Sequence, residues 1–408
     1  MDRFIGLLGV VMILSIAFLF SNNRKAINYR LVVSGLALQL TLAVLILKVP
    51  VVTRFFQTLG HGMEKIEQFA REGAKFCFGN ILPNPPEAAK VFGGANAFIF
   101  AFNIPATIIL VCVLVAILYH FGIMQRVVAL IARAVHFLMH ASGAEALSNV
   151  ASAFVGQVEA QVMIRPYLKG MTNSELLASM SGSMACIAGG ILIVYVNMGV
   201  PAEYLIAASL MAAPAALVIS KIVYPETEVS ETKGNVSIEV KSHYTNVIDA
   251  ISHGASDGMK ISINVIAMLI GFIGLIALVN YILGMISPGF SLNVIFGWGF
   301  YPIAWAMGVP ANEAKTVATL MGQKMVVNEF VAYLNLIPMK ETLSPKGLMI
   351  ASFALCGFAN FSSVGMQIGG IGELAPERRG DLAKLGLRAL LCGTLASYLS
   401  ATIAGILL

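Results

Sequence analysis

Runs of about 20 apolar residues recur along the whole chain, and each is long enough to cross the hydrocarbon core of a bilayer as a helix. Eight such runs cover residues 4–21, 31–49, 97–119, 176–199, 204–220, 262–285, 347–371 and 385–407. The chain is 58% hydrophobic and only 12% charged, a composition foreign to soluble globular domains. The sequence therefore predicts an all-α polytopic membrane protein with about eight transmembrane helices.

Four further apolar stretches are too short or too interrupted to span cleanly: 124–139, 143–165, 290–308 and 312–339. The one long polar segment, 225–248, separates two halves with the same order of features. In each half a short stretch with Gly-Gln and a glutamate precedes a long segment broken by small or polar residues, at 187–190 and at 358–363. Inverted repeats with re-entrant hairpins and broken helices are typical of secondary transporters.

Basic residues indicate the orientation through the positive-inside rule. Placing the N-terminus outside puts the 225–248 loop on the cytoplasmic side and predicts that 50–92 is an external amphipathic surface helix. The same orientation makes these residues cytoplasmic: Arg126, Arg133, Arg165, Lys169, Arg378, Arg379, Lys384 and Arg388. The net charge of +5 follows this topology, so it gives no indication of nucleic-acid binding. The five cysteines show no CxxC spacing and indicate neither a disulfide framework nor a metal site.

The segment 322–333 places Lys324, Asn328 and Glu329 in an otherwise apolar hairpin. Ionisable groups at bilayer depth are costly unless they face a cavity, a partner or a substrate. The segment therefore predicts a site for a polar solute. The alternative is a buried Lys–Glu pair with a structural role only.

Three motifs resemble the concentrative nucleoside transporter family: the Gly-Gln-Lys…Asn-Glu-Phe-Val-Ala-Tyr segment 322–333, Cys-Gly-Phe-Ala-Asn-Phe-Ser-Ser at 356–363, and Val-Gly-Gln-x-Glu at 155–159. The resemblance runs through nearly the whole chain. It implies a homotrimer in the bacterial inner membrane, in which a mobile transport domain carries two re-entrant hairpins past a fixed scaffold. It also implies cation-coupled import of nucleosides such as uridine or adenosine by an elevator-type movement.

The resemblance further divides the chain into regions. Residues 1–120 would be N-terminal helices, mostly scaffold, and 121–224 the first repeat with hairpin 1 and its broken helix. After the cytoplasmic loop 225–248, residues 249–289 would form a central scaffold helix. Residues 290–408 would form the second repeat with hairpin 2, its broken helix and the last span.

Substrate contacts follow from the matched positions. Glu329 can accept hydrogen bonds from two ribose hydroxyls, and the resemblance implies that Asn360 and Ser363 complete that cluster. Phe358 offers an apolar face. Gln157 presents a donor and an acceptor to a base edge, with Glu159 acting nearby through water. Asn328 and Val158 are neighbours of these residues and complete the set expected to contact the substrate.

Two positions of hairpin 1 depart from the family pattern. Val158 replaces a hydroxyl residue, and losing one hydrogen bond is worth roughly 0.5–1.5 kcal/mol, which leaves the base preference open. Gln161 replaces a proline, and the sequence offers no account of it.

The coupling ion is also left open. The positions that match the family's sodium ligands are Ser152, Val155, Cys186 and Ile187. A thiol is a poor ligand for a hard cation, although the nearby Asn149 can compensate. We therefore favour a proton, carried by Glu159 or Glu329, over sodium, and expect no other metal and no cofactor.

Other classes of function fit the sequence less well. An intramembrane enzyme with Glu159 and Glu329 as an acid–base pair would need a nucleophile or a metal cluster, and the chain has no HExxH or GxSxG motif. A passive channel would be expected to show rings of like charge or carbonyl filters. A transporter of free nucleobases or other sugar-like solutes is the closest alternative.

Overall fold

The computed structural model describes residues 2–93, 99–232 and 244–408, and this part of the chain is helical without β-strands. The helices, in chain order, are α1 (Asp2–Leu19), α2 (Tyr29–Lys48), α3 (Pro50–Phe78), α4 (Pro85–Phe92), α5 (Phe100–His120), α6 (Ile123–Met139), α7 (Gly143–Ser152), α8 (Glu159–Val162), α9 (Arg165–Leu168), α10 (Asn173–Ala185), α11 (Gly189–Asn197), α12 (Ala202–Val223), α13 (Val247–Ile286), α14 (Leu292–Gly299), α15 (Tyr301–Ala306), α16 (Ala311–Val326), α17 (Glu329–Leu336), α18 (Pro345–Leu355), α19 (Phe361–Leu374) and α20 (Arg379–Leu407).

The apolar runs form helices as predicted. Five described helices are long and apolar enough to cross a membrane: α2, α5, α12, α13 and α20. The other predicted spans are the shorter α1 and two broken segments. The run 176–199 is α10 followed by α11, and the run 347–371 is α18 followed by α19, so each contains the break that its small and polar residues predict.

The predicted polar loop, 225–248, falls between α12 and α13, and its residues 233–243 lie outside the described residues. Helix α13 runs from Val247 to Ile286, within three residues of the predicted central helix 249–289 at each end. Asn246 caps this helix, because its side chain accepts a hydrogen bond from the Asp249 backbone N–H. The predicted span 262–285 is therefore the second part of a longer helix.

The two halves place equivalent elements in the same order. Helix α7 and the short α8 and α9 make the first hairpin, and α16 with α17 makes the second. Each hairpin is followed by a broken helix and then by a long helix, α12 or α20. Both α10 and α18 end at a cysteine with extended backbone, Cys186 and Cys356.

Helices α12 and α20 are the most buried of the long helices, and α20 packs against α1, α10, α12, α18 and α19. Helix α2 lies against α12 and α20, where the buried Gln39 side chain donates to the Ser400 hydroxyl at 2.9 Å. This packing joins α1 and α2 to the helices of the repeats. Residues 1–120, expected to be mostly scaffold, thus include two helices that contact the helices of both halves.

Helix α13 shows the opposite pattern. It lies along α5, and most of its remaining surface is exposed and apolar, including Ile270, Leu278 and Met285. Such a surface suits contact with lipid. The predicted amphipathic helix in 50–92 is α3, whose charged face includes ion pairs between Glu67 and Arg71 and between Glu72 and Lys75.

Buried charges hold the start of the first hairpin. Lys221, near the end of α12, pairs with Glu145 of α7 at 2.7 Å and donates to the Ser174 hydroxyl of α10 at 2.9 Å. Ser142 and Thr172 cap α7 and α10, each in a capping box with a glutamate three residues later. These contacts join α7, α10 and α12 at one end.

Candidate functional site

Glu329 is the centre of a buried polar cluster. It is the first residue of α17, and its position is set by Asn328, whose side chain caps the helix by accepting from the Val331 N–H at 2.9 Å. One carboxylate oxygen of Glu329 accepts from the Tyr195 hydroxyl at 3.0 Å. The other accepts from the Asn360 amide at 3.2 Å. The structure therefore brings Glu329 and Asn360 together, as the sequence predicts.

Asn360 also organises the second broken helix. Its side-chain oxygen accepts from the Ser363 N–H at 2.9 Å and from the Ser362 hydroxyl at 2.7 Å, so it caps α19 while its amide reaches Glu329. The Ser363 hydroxyl is buried and has no hydrogen-bond partner among the described residues. An unpartnered buried hydroxyl is costly, so this atom is suited to a ligand.

The two breaks touch each other. The Phe358 N–H donates to the Cys186 carbonyl at 3.3 Å, which links the α18–α19 break to the α10–α11 break. Gly357 makes this approach possible, because its φ of +117° favours glycine and a Cβ there would lie 2.4 Å from the Ala185 carbonyl oxygen. Phe358, predicted to face the substrate, is half-buried beside this crossing.

Tyr195 is a site residue that the sequence did not single out. It is fully buried in α11, and its ring packs on Tyr333 with centroids 4.5 Å apart and on Phe330 at 5.9 Å. A buried tyrosine hydroxyl usually finds a partner, and here that partner is Glu329. The available signal was weak, because one tyrosine in an apolar run is also an ordinary packing residue.

Lys324 does not pair with Glu329 among the described residues. Its ammonium donates to the carbonyls of Ala354 at 2.9 Å and Cys356 at 3.3 Å, at the end of α18. This arrangement therefore does not support the alternative of a simple Lys–Glu pair.

The tip of the first hairpin meets α19. The Gln157 amide nitrogen lies 3.6 Å from the Met366 sulfur, and its amide oxygen is buried with no partner among the described residues. The Val158 methyl groups pack against Gly370. The Glu159 carboxylate folds back over Gly156, and the residue is exposed. Gln157 and Val158 thus contact the same helix that carries Ser363.

The four residues proposed for ion coupling lie around the first hairpin and the first break. The Ser152 hydroxyl donates to the Ser148 carbonyl at 2.7 Å and lies 2.9 Å from the Ser183 hydroxyl. The Cys186 sulfur is 3.8 Å from the Ser209 carbonyl oxygen and 4.0 Å from that of Asn149. Val155 is half-buried and Ile187 is fully buried.

Gln161 completes this region in a way that the sequence did not anticipate. Its amide nitrogen donates to the Ser183 hydroxyl at 2.7 Å, and its oxygen accepts from the Ser179 hydroxyl at 2.6 Å. The buried side chains of Ser152, Ser183, Gln161 and Ser179 therefore form one hydrogen-bonded chain between the hairpin and α10. The signal that could have found it was the spacing of Ser179 and Ser183, which at i and i+4 share one face of α10.

Comparisons with known proteins agree over almost the entire chain. Three family models match: the N-terminus of Na+ dependent nucleoside transporters at residues 8–81, a nucleoside recognition domain at 101–202, and the C-terminus of Na+ dependent nucleoside transporters at 204–405. Nucleoside permease NupC of Helicobacter pylori is 41% identical, over 98% of this chain and 96% of its own.

Solved structures are similar to the same extent. CNTnw in an inward-facing, substrate-bound state matches with a TM-score of 0.94 at 40% identity, over 100% of this chain and 98% of its own. A variant of CNTnw in an outward-facing state matches with a TM-score of 0.93 at the same identity and coverage. The chain is a multi-pass inner-membrane protein and belongs to the bacterial concentrative nucleoside transporters.

Proposed function

We propose that this protein is a cation-coupled symporter that imports nucleosides and recognises them mainly through the ribose. The observation that carries the proposal is the cluster around Asn360. Its amide donates to the buried Glu329 carboxylate, and its oxygen caps the helix that carries Ser363, whose buried hydroxyl has no partner among the described residues. A carboxylate can accept from two neighbouring hydroxyls at once. Ribose supplies such a pair, whereas a free nucleobase does not.

The base is proposed to lie towards the first hairpin. Gln157 supports this, because its buried amide oxygen has no partner within the described part of the chain and its amide group can match the mixed edge of a base. Phe358 would supply an apolar face, Glu159 would act through water, and Asn328 would hold Glu329 in register by capping α17. Val158 contributes only methyl groups, which are already packed against Gly370.

We favour a proton as the coupling ion. The Ser152 hydroxyl is committed to Ser148 and Ser183, and Cys186 presents a thiol where a hard cation would need oxygen. Glu329 or Glu159 would carry the proton, since both are carboxylates at the proposed substrate site. Sodium stays the alternative: the matched families are sodium-dependent, and the buried Asn149 side-chain oxygen has no partner among the described residues.

We propose an elevator-type movement within a homotrimer, with the N-terminus outside. The scaffold would comprise α3, α5 and the central helix α13, which corresponds to residues 249–289 of the predicted division. The two repeats, 121–224 and 290–408, would form the transport domain together with α1 and α2. Support for this grouping comes from the packing of α1 and α2 on α12 and α20.

Uptake of radiolabelled uridine into proteoliposomes tests the function directly. The wild-type protein should accumulate uridine under an imposed proton gradient, and uridine uptake should be inhibited by adenosine but not by uracil. Accumulation under a sodium gradient alone would instead establish sodium coupling. Uptake that uracil inhibits as well as uridine would favour a nucleobase transporter.

Glu329→Ala tests the site. We expect it to abolish uptake while the protein remains folded and trimeric, because the substitution removes ribose recognition and little packing. Glu203→Ala is a matched control, since Glu203 lies in the first turn of α12, away from the cluster. Glu329→Ala protein that is unfolded or monomeric in detergent would favour a structural role for the carboxylate.

A further inference from the structure

The 322–333 segment has two charged residues, Lys324 and Glu329, and the proposed substrate recognition uses only Glu329. The Lys324 side chain is almost completely buried in α16 of the second hairpin. A buried ammonium needs hydrogen-bond acceptors. Its acceptors here are two carbonyls of a different element, those of Ala354 and Cys356.

These carbonyls belong to the end of α18. The last turn of a helix leaves carbonyls without partners inside the helix and carries the negative end of its dipole. A fixed positive charge is the complementary group for such an end. Ser397 of α20 adds a second donor to the Cys356 carbonyl at 3.0 Å. The break is thereby held from two sides, by the hairpin and by α20.

The break that Lys324 holds leads directly into the site. Gly357 and Phe358 follow Cys356, and Asn360 then caps α19 while it donates to Glu329. Lys324 and Glu329 lie on the two arms of the same hairpin, α16 and α17. The hairpin therefore contacts the break at two points: at the carbonyls through Lys324, and at Asn360 through Glu329.

The first break has no such cation among the described residues. The Cys186 carbonyl accepts from the Phe358 N–H, and the hydroxyls around it bond to one another and to Gln161. The two repeats thus differ in chemistry where their architecture is alike.

We propose that Lys324 is a positioning residue for nucleoside recognition: its tethered ammonium fixes the α18–α19 break so that Asn360 and Phe358 face the same substrate as Glu329. This inference rests on the proposed function. Lys324 itself does not touch the nucleoside. Its loss should weaken the ribose contacts that depend on the position of Asn360.

The test compares the binding of uridine and 2′,3′-dideoxyuridine to purified protein by calorimetry. Wild-type protein should bind uridine more tightly, because the dideoxy compound lacks both hydroxyls. Lys324→Met keeps the length of the side chain and removes the charge, and should reduce uridine affinity by about tenfold, the order expected if one hydrogen bond between Asn360 and the ribose is lost. The ratio between the two ligands should fall as well, whereas a general loss of folded protein would leave that ratio unchanged.

Lys315→Met is the matched control. Lys315 lies on the same helix, is exposed and stacks over Trp298, so this variant loses the same charge away from the break. It should keep the wild-type ratio. If Lys324→Met does not fold, Lys324→Gln keeps a donor without the charge and is measured in the same way.

The outcomes distinguish a positioning role of Lys324 from a packing role, and both from a failure of the proposed function. A folded Lys324→Met or Lys324→Gln protein with the wild-type ligand ratio would overturn the proposal. Failure of both variants to fold would also overturn it, because Lys324 would then be required for packing. Wild-type protein that binds neither ligand would instead contradict the proposed function, independently of Lys324.

Discussion

At the residue scale, the carboxylate of Glu329 has both oxygens engaged by donors from separate elements, Tyr195 of α11 and Asn360 at the start of α19. Under the proposed function, a nucleoside would replace the Asn360 contact while Tyr195 continues to hold the other oxygen. Tyr195 is fully buried and stacked on Tyr333, so its hydroxyl has little freedom to turn away. The orientation of the carboxylate is thus set before substrate arrives.

Tyr195→Phe should raise the KM for uridine uptake by about tenfold or more, because a hydrogen bond to a charged group contributes roughly 1.5–3 kcal/mol. The ring and its packing remain. Proteoliposome uptake at several uridine concentrations measures the change.

Tyr333→Phe provides the comparison. It belongs to the same aromatic stack, but its hydroxyl donates to the Ser352 carbonyl at 2.7 Å and not to Glu329. Its KM should stay near that of the wild type. An equal rise in both variants would show that ring packing, and not the contact with Glu329, determines affinity.

The sequence predicted residues whose chemistry is unusual for their surroundings. Glu329 and Asn360 stood out because polar groups at bilayer depth are costly, and the structure brings the two together. Tyr195 did not stand out, and Gln161 stood out only as a departure from the family pattern without an account, because each derives its role from partners elsewhere in the chain. The hydrogen bond between Tyr195 and Glu329 joins residues 134 positions apart, and no local pattern encodes it.

At the element scale, the breaks in the two long apolar runs were predictable and the crossing between them was not. Small and polar residues interrupt a helix locally, so 187–190 and 358–363 identified the breaks. The contact between them depends on how the halves pack. The apolar run 262–285 covers only the second part of α13, because an apolar window does not include the polar first turns, which begin at Val247.

Gly357→Ala should damage the crossing. The new methyl group would lie against the Ala185 carbonyl at 2.4 Å, and the φ of +117° would be strained, at a cost of roughly 1–3 kcal/mol or more. We expect a lower melting temperature and weaker uridine uptake.

Gly365→Ala is the matched control for that change. Gly365 lies in α19, about one turn past the start of the helix, where an added Cβ would meet nothing within 4 Å. Alanine also has the better helix propensity, so this variant should melt at or above the wild-type temperature. Equal melting temperatures and equal uridine uptake for Gly357→Ala and Gly365→Ala would contradict the close approach of the two breaks.

At the scale of the whole molecule, the packing suggests which helices move together. The Tyr119 hydroxyl of α5 donates to the Met163 sulfur, just after α8, at 3.2 Å, and this contact would have to slide if α5 belongs to the scaffold. The contact between α1 and α20 would stay fixed. Cysteine pairs at the two contacts can distinguish these behaviours.

The cysteine pairs are introduced into protein that also carries Cys77→Ser and Cys112→Ser. Cross-linking Tyr119→Cys to Met163→Cys with a cleavable bis-methanethiosulfonate should stop uridine uptake, and reduction should restore it. Gly6→Cys with Ile406→Cys is the control. A Cβ at Gly6 would lie 3.8 Å from that of Ile406, within the range of a disulfide. This pair should cross-link without loss of uptake. Inhibition by the control pair alone would contradict the proposed grouping of α1 with the transport domain.

The bond between the Phe358 N–H and the Cys186 carbonyl ties the two halves of the chain to each other through backbone atoms alone. The half that carries Phe358 thereby supplies a donor to the half that carries Cys186, at the break in its helix. A chimaera that takes one half from a relative would need both partners of the crossing to fit. The two halves are therefore not interchangeable parts, because each must present the backbone of its break at the same distance and angle to the other.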